Sequence, residues 1–325
     1  MTISRRLVLA FALGAGCSVA AMGPLAAQGW PQRTVRVIVP LPAGTAIDVS
    51  ARLFGERLAA RWKQAVVVEN MPGADGILAA KEFVGRRDDH TLLYSFAGLI
   101  TINPLLYEKL PYDPAHDFTP IAISSDNILA VAASKKSSIR SLGDLVALAK
   151  ARPVKLNWAA TAGLPYFAIA GFQKSAGIDM VYVPYKDFTP ALNDTGEGRI
   201  DVASTALTQM IPYQQSGKLD FLAVLNRTRS PLAPQVPTAA EAGYPDLSFD
   251  GVTGYFGNRD MPAELRDRIA ADVRAVADET TVRDKLAAIG IVARPSTPAE
   301  FAAAIEAQRV KVAGIAAAVG TKPTQ

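Results

Sequence analysis

Residues 35–48, V-R-V-I-V-P-L-P-A-G-T-A-I-D, constrain the fold more than any other stretch of the chain. Val35, Val37 and Val39 alternate with Arg36 and Ile38, a β-branched run that reads as a mostly buried strand. Pro40 and Pro42 end it, because proline has no N–H to give to a sheet ladder. Ala43, Gly44 and Thr45 form a small-residue turn. Ile47, Ala51, Phe54, Leu58 and Trp62 then recur at helical spacing as one apolar stripe. The first turn of such a helix carries unpaired N–H groups and the positive end of the macrodipole. Small side chains around Gly44 leave room for a carboxylate to approach those donors. Every α/β fold has turns of this kind, so the unit also stands simply as the first strand–helix pair of a sheet.

The alternation continues. Strands are expected at 65–69, 91–95, 120–124 and 128–134, with a helix at 77–86 and an irregular connection over 103–117. At Ser134 the character changes to the polar run Lys135-Lys136-Ser137-Ser138, and the strand–helix alternation starts again. Short spacings of this sort predict sheets with parallel strands and right-handed crossovers. After a proline-rich passage at 231–245, the extended stretch F-D-G-V-T-G-Y-F-G (249–257) reads as a return to the first lobe. Helices at 262–278, 282–289 and 298–318 close the chain. The organisation expected is therefore a signal segment at 1–27, one lobe of 28–133 plus 251–325, and a second lobe of 134–250, with two crossings between lobes that can act as a hinge.

Half of the 325 residues are hydrophobic, enough for two cored lobes. Residues 1–27 have the order of an export signal: Arg5 and Arg6, an apolar run over 7–21, then small residues before Gln28. The paired arginines leave both the general secretory and the twin-arginine route open. Losing Arg5 and Arg6 takes the formal charge from +4 to +2. No basic run with interleaved aromatics is visible, so nucleic acid is not an expected partner. Cys17, the only cysteine, lies within the apolar run. A mature chain without thiols fits the bacterial periplasm. His90 and His116 lack the spacing of zinc ligands, and no phosphate-binding glycine loop or nucleophile elbow is present. No metal or cofactor is expected, and the chain reads as a binder rather than an enzyme. An exported α/β enzyme and a ligand sensor for a signalling partner stand as alternatives.

Several segments match a known family in order and spacing: V-I-V-P-L-P-A-G-T-A-I-D at 37–48, V-V-V-E-N-M-P-G-A-D-G at 66–76, L-P-Y-D-P-A-H-D-F-T-P-I at 110–121, V-P-Y-K at 183–186, G-R-I-D at 198–201, G-K-L at 217–219 and R-S-P-L-A-P-Q-V-P-T-A-A-E-A-G at 229–243. Through these, the chain resembles the periplasmic solute receptors of tripartite tricarboxylate transporters, the Bug-type family, over essentially all of its length past residue 27. The resemblance implies a two-lobe periplasmic binding protein, α/β and type II-like. Each lobe would hold a mixed, mainly parallel sheet flanked by helices, with a cleft between. It also implies a monomer that closes on a small organic acid and delivers it to membrane permease subunits.

Carried over residue by residue, the resemblance puts Ala43, Gly44, Thr45, Ile47 and Asp48 in a first ligand loop. It puts Ala160, Thr161, Ala162, Gly163, Pro165 and Tyr166 in a second, and Asp201 at a strand end facing the cleft. Tyr185 and Tyr166 line the pocket or are ordinary half-buried tyrosines. Asp48 and Asp201 act on ligand or cap the adjoining helices. The chain departs from the family pattern at Thr45 (glycine), Tyr166 (histidine), Asp187 (glycine) and Val252 (tryptophan). These changes point to a smaller, less charged or aromatic acid.

Overall fold

The computed structural model describes residues 29–323; the expected signal segment and Cys17 lie outside them. The first lobe begins β1 (Val35–Val39), α1 (Ala46–Trp62), β2 (Val66–Asn70), α2 (Ile77–Arg86), β3 (Thr91–Phe96). The short helices α3 (Gly98–Thr101) and α4 (Asn103–Leu106) follow, then β4 (Phe118–Asn127). The second lobe runs β5 (Leu129–Ser134), α5 (Leu142–Ala151), β6 (Asn157–Ala160), α6 (Leu164–Ala176), β7 (Val181–Tyr182), α7 (Phe188–Gly196), β8 (Val202–Ala206), α8 (Leu207–Gln215) and β9 (Leu219–Val224). The chain returns through β10 (Gly251–Asn258), α9 (Ala263–Ala277), α10 (Thr280–Ala288), β11 (Ile291–Ala293) and α11 (Pro298–Val319).

Two mixed sheets result, ordered β11-β4-β10-β3-β1-β2 and β7-β6-β8-β5-β9. β1 pairs in parallel with β2 and β3, and β6 with β7 and β8. The strands that carry the chain between lobes, β4, β5 and β10, pair antiparallel with their neighbours. The apolar stripe of α1 does what its spacing requires. Ile47, Ala51, Phe54, Leu58 and Trp62 are all buried, and Phe54 packs against Tyr94 and Tyr255 with ring centroids 6.5 and 6.2 Å apart. Each large side chain so buried contributes about 1.5–3 kcal/mol.

The sheets change over one strand earlier than the polar run at 134 suggested. β5 pairs with β8 and β9 in the second sheet, so the outward crossing lies at Asn127–Ile128. Polarity marks a lobe surface; strand pairing, which is non-local, marks the lobe. The return crossing is at Gly251, where β10 begins. There is also a third link. Phe301 and Ile305 of α11 sit in the first-lobe core, while Val312 and Ala316 of the same helix sit in the second-lobe core. A Cβ on Gly171 of α6 would lie 2.7 Å from Ile315, so the missing side chain there lets α11 lie close against α6.

Charges gather where the chain crosses. One Arg294 nitrogen lies 3.1 Å from Asp126 and 3.1 Å from Asp250, and Arg227 Nε lies 2.8 Å from Asp250. Burial pushes the Asp126 carboxyl up to about 6 although Arg294 opposes the shift; the neighbouring Asp250 charge adds to it. The folded state thus binds this proton more tightly than the unfolded chain does. Asp126 favours the fold fully below pH 4, and that contribution fades as pH rises through about 6. The stability of the wild type relative to Asp126→Asn is expected to improve on going from pH 7 to pH 4.5, by up to about 1.4 kcal/mol per pH unit. Urea denaturation of both proteins across that range measures it, and a flat difference overturns it.

Candidate functional site

The parallel strands of both lobes end at the same place, as ligand clefts in α/β sheets require. A cavity of about 560 Å³ lies there. Its first-lobe wall comes from Pro40–Pro42 after β1, residues 72–76 after β2, and Phe96, Ala97 and Gly98 after β3. Its second-lobe wall comes from residues 161–165 after β6 and from Thr205, Ala206 and Gln209 at the β8–α8 junction. Asn127, Leu129 and Gly251–Thr253 from the crossings, and Gln308 from α11, complete it.

The strand–loop–helix junctions explain the chemistry of the walls. Thr45 is the N-cap of α1: it accepts from Asp48 N at 3.4 Å and donates to Pro42 O at 2.9 Å. Asp48, only 2 % exposed, accepts from Gly44 N and from Asn70 Nδ2, both at 2.8 Å, and pairs with Arg52 at 3.0 Å. Burial works against its charge. The bonds from Gly44, Arg52 and Asn70 outweigh that and hold the carboxyl below its ordinary value. Asp48 is therefore the post to which the first loop is tied. Gly44 keeps φ at +85° and commits its N–H to that post. Ile47 lines the cavity, and its N–H belongs to the first helical turn, where no intrahelical carbonyl is available.

On the facing wall, Gly163 precedes α6 at φ +85° and ψ −133°, a region open to glycine alone. Pro165 follows within the first turn, where its missing N–H costs nothing. Thr161 Oγ1 donates to Thr205 Oγ1 at 3.3 Å, which donates to Gln209 Oε1 at 2.8 Å. This relay leaves the Gln209 amide N–H groups available to a ligand.

Of the residues expected in the site, Ile47, Thr161, Ala162, Gly163 and Pro165 line the cavity. Ala43, Gly44 and Thr45 are not among the lining residues; they lie between Pro42 and Ile47, which are, and Gly44, Thr45 and Asp48 hold the loop in shape. Three others lie elsewhere. Tyr166 turns to an aromatic cluster, its ring centroid 5.5 Å from Trp158 and 5.0 Å from Tyr182. Tyr185 donates to Asp194 Oδ2 at 2.6 Å, and burial together with that carboxylate pushes the phenol up to about 12. Asp201 stands before β8, at the end away from the cavity. Its Oδ2 accepts from Asn157 N at 2.8 Å, and its own N–H donates to Asn157 Oδ1 at 2.8 Å, tying the starts of β6 and β8 together. In a parallel strand the cleft lies at the C-terminal end, so the residues to single out after 201–204 were Thr205 and Ala206.

The family description "Tripartite tricarboxylate transporter family receptor" matches residues 50–318. BugT of Bordetella pertussis is 31% identical over 251 residues, covering 76% of this chain and 76% of that protein. Among solved structures, R. palustris Rpa4515 with adipate is 28% identical with a TM-score of 0.78, covering 91% of this chain and 100% of that one. MatC (Rpa3494) from Rhodopseudomonas palustris with bound malate is 29% identical with a TM-score of 0.72, covering 88% and 99%. With the family pattern spanning most of its length and the same two-lobe fold, the chain belongs to the tripartite tricarboxylate transporter receptor family.

Proposed function

We propose that this protein is a periplasmic receptor that captures a small organic carboxylate by lobe closure. It then presents the closed form, as a monomer, to the membrane permease subunits of a tripartite tricarboxylate-type transporter. The observation that carries the reading is the cavity itself. It lies between the lobes and is rimmed by helix starts from both: Ile47 of α1, Gly163–Pro165 of α6 and Ala206 before α8. Among the described residues, no lysine or arginine lines it. An anion there would be held by main-chain N–H groups and helix ends, not by an ion pair. Relatives of the same fold have been solved with adipate and with malate, which supports a carboxylate as the ligand class.

Closure is a population shift: the ligand favours the closed form only by the contacts that both walls make at once. Export through the general secretory or the twin-arginine route would bring the protein to its ligand. The reading is tested by thermal shift and calorimetry against a panel of organic acids. A true ligand at one hundred times its dissociation constant stabilises by about 2.7 kcal/mol. Gly163→Ala forces a Cβ into a glycine-only conformation at a cost of about 1–3 kcal/mol. It is expected to weaken the best ligand at least about tenfold, because the α6 start must shift to relieve the strain. Unchanged affinity in Gly163→Ala removes this wall from the site, and consumption of the bound acid overturns the receptor reading.

A further inference from the structure

Among the described residues, Asp75 is the only charged one that lines the cavity. Its backbone conformation is unusual. Gly73, Ala74, Asp75 and Gly76 have successive positive φ angles of +130°, +47°, +49° and +83°. For alanine and aspartate such a conformation stores strain, and it persists only where the surroundings enforce it. They do so here. Asn103 Nδ2 donates to Asp75 O at 3.2 Å and, at 3.1 Å, meets the Tyr112 hydroxyl, which donates to Leu99 O at 2.9 Å. Tyr107 donates to Asp75 Oδ2 at 2.6 Å, and burial together with this carboxylate pushes the Tyr107 phenol up to about 12. A Cβ on Gly76 would lie 2.8 Å from Leu99 and 3.0 Å from Pro40, so the turn is wedged from below as well. No cation pairs with Asp75 among the described residues, in contrast to Asp48 of the same lobe, which pairs with Arg52. The tyrosine bond occupies Oδ2, and Oδ1 has no hydrogen-bond partner among the described residues. Around it, Pro72, Phe96, Ile102 and Leu106 are apolar, and Asn103 is neutral.

Resting on the carboxylate-receptor reading, we propose that Asp75 sets the charge selectivity of the site: it accepts acids whose far end is a hydrogen-bond donor, such as an amine, and rejects those that carry a second carboxylate. The proximal carboxylate meets the helix starts of α1 and α6. The distal group meets a wall whose one charge is negative. Closure removes water from that charge, which raises the penalty for a second anion and the gain from a donor. Adipate and malate, seen with relatives, each carry two carboxyl groups, so the preference proposed for this chain differs from theirs.

The test uses matched straight-chain probes of four to eight carbons: the monocarboxylate, the ω-amino acid and the dicarboxylate of each length, titrated by calorimetry into the wild type and Asp75→Asn. Asparagine also tolerates the left-handed conformation and still accepts from Tyr107, so the turn is retained. In the wild type the ω-amino acid is expected to bind at least about tenfold tighter than the dicarboxylate of best length, and Asp75→Asn to erase or invert that ratio. Equal binding of the two in the wild type, or a ratio unchanged in Asp75→Asn, overturns the role of Asp75 while leaving the receptor intact. Failure of every probe to bind either protein overturns the carboxylate reading and this inference with it.

Discussion

Asp48→Ala is expected to lower stability by about 3 kcal/mol and to reduce organic-acid affinity at least about tenfold. The carboxylate is buried and takes hydrogen bonds from Gly44 N, Asn70 Nδ2 and Arg52. Removing it leaves Gly44 N and Asn70 Nδ2 without this acceptor, and unpaired buried donors carry the cost; Arg52, half exposed, keeps Asn70 and water as partners. It also frees Gly44, whose φ of +85° is held by that bond, so the rim from Pro42 to Ile47 loses its set shape. Chemical denaturation reads the first effect and calorimetry the second. The carboxyl titrates below its ordinary value of 3.8, so its stabilisation is complete above that pH and is lost as pH falls through the folded value. The gap between wild type and Asp48→Ala should therefore be constant from pH 5 to 8 and shrink below pH 4. A variant with unchanged binding would show that the loop does not depend on this anchor.

The second large effect is at Gly254 in the middle of β10, paired on one side with Ser95 and on the other with Ile123. A Cβ there would lie 2.4 Å from the Ala122 carbonyl oxygen and 2.8 Å from the Phe301 ring. The oxygen belongs to the neighbouring strand, and Phe301 is fully buried under α11. Neither can withdraw without parting the sheet from the helix. Gly254→Val is expected to cost on the order of 4 kcal/mol or more and to yield little folded protein at 37 °C. Thermal melting and soluble yield measure it; a melting temperature within a few degrees of wild type contradicts it. Gly44 makes the contrast: nothing lies within 4 Å of a Cβ there, so its need for glycine comes from backbone conformation and not from crowding.

Local patterns gave the elements, because they depend on neighbours in sequence. The valine alternation of β1, the stripe of α1 and the small turn between them all occur where periodicity puts them. Short or weakly patterned pieces escaped. The helices α3 and α4 and the strand β11 are three or four residues long, too short to carry a period. The stretch at 238–242, inside the proline-rich passage, is a run of turns. Its Thr238 and Glu241 cap each other, with Thr238 N donating at 2.8 Å, but the chain turns away after Gly243 at φ +88°.

The cavity wall was legible where a strand runs directly into a helix through small residues, as at Ile47 and at 161–165. It was not legible at Asp75, Thr205, Gln209, Asn103 or Gln308, which reach the cavity from four separate segments. Nor did residue type tell Tyr166 and Tyr185 apart from pocket aromatics, since direction depends on what packs behind the ring.

What the chain determined alone was its set of strand–helix units, its two-lobe class and its family, because hydrophobic period and turn chemistry are properties of neighbouring residues. Tertiary structure decided where the sheets exchange strands, that α11 braces both lobes, and which of three aspartates lines the cleft. Those depend on pairings between residues far apart in sequence: Asp48 is bound by Asn70, Asp201 by Asn157, and Asp75 by Tyr107. A side chain's role follows from the partner it meets, and the partner is fixed only when the sheets have closed.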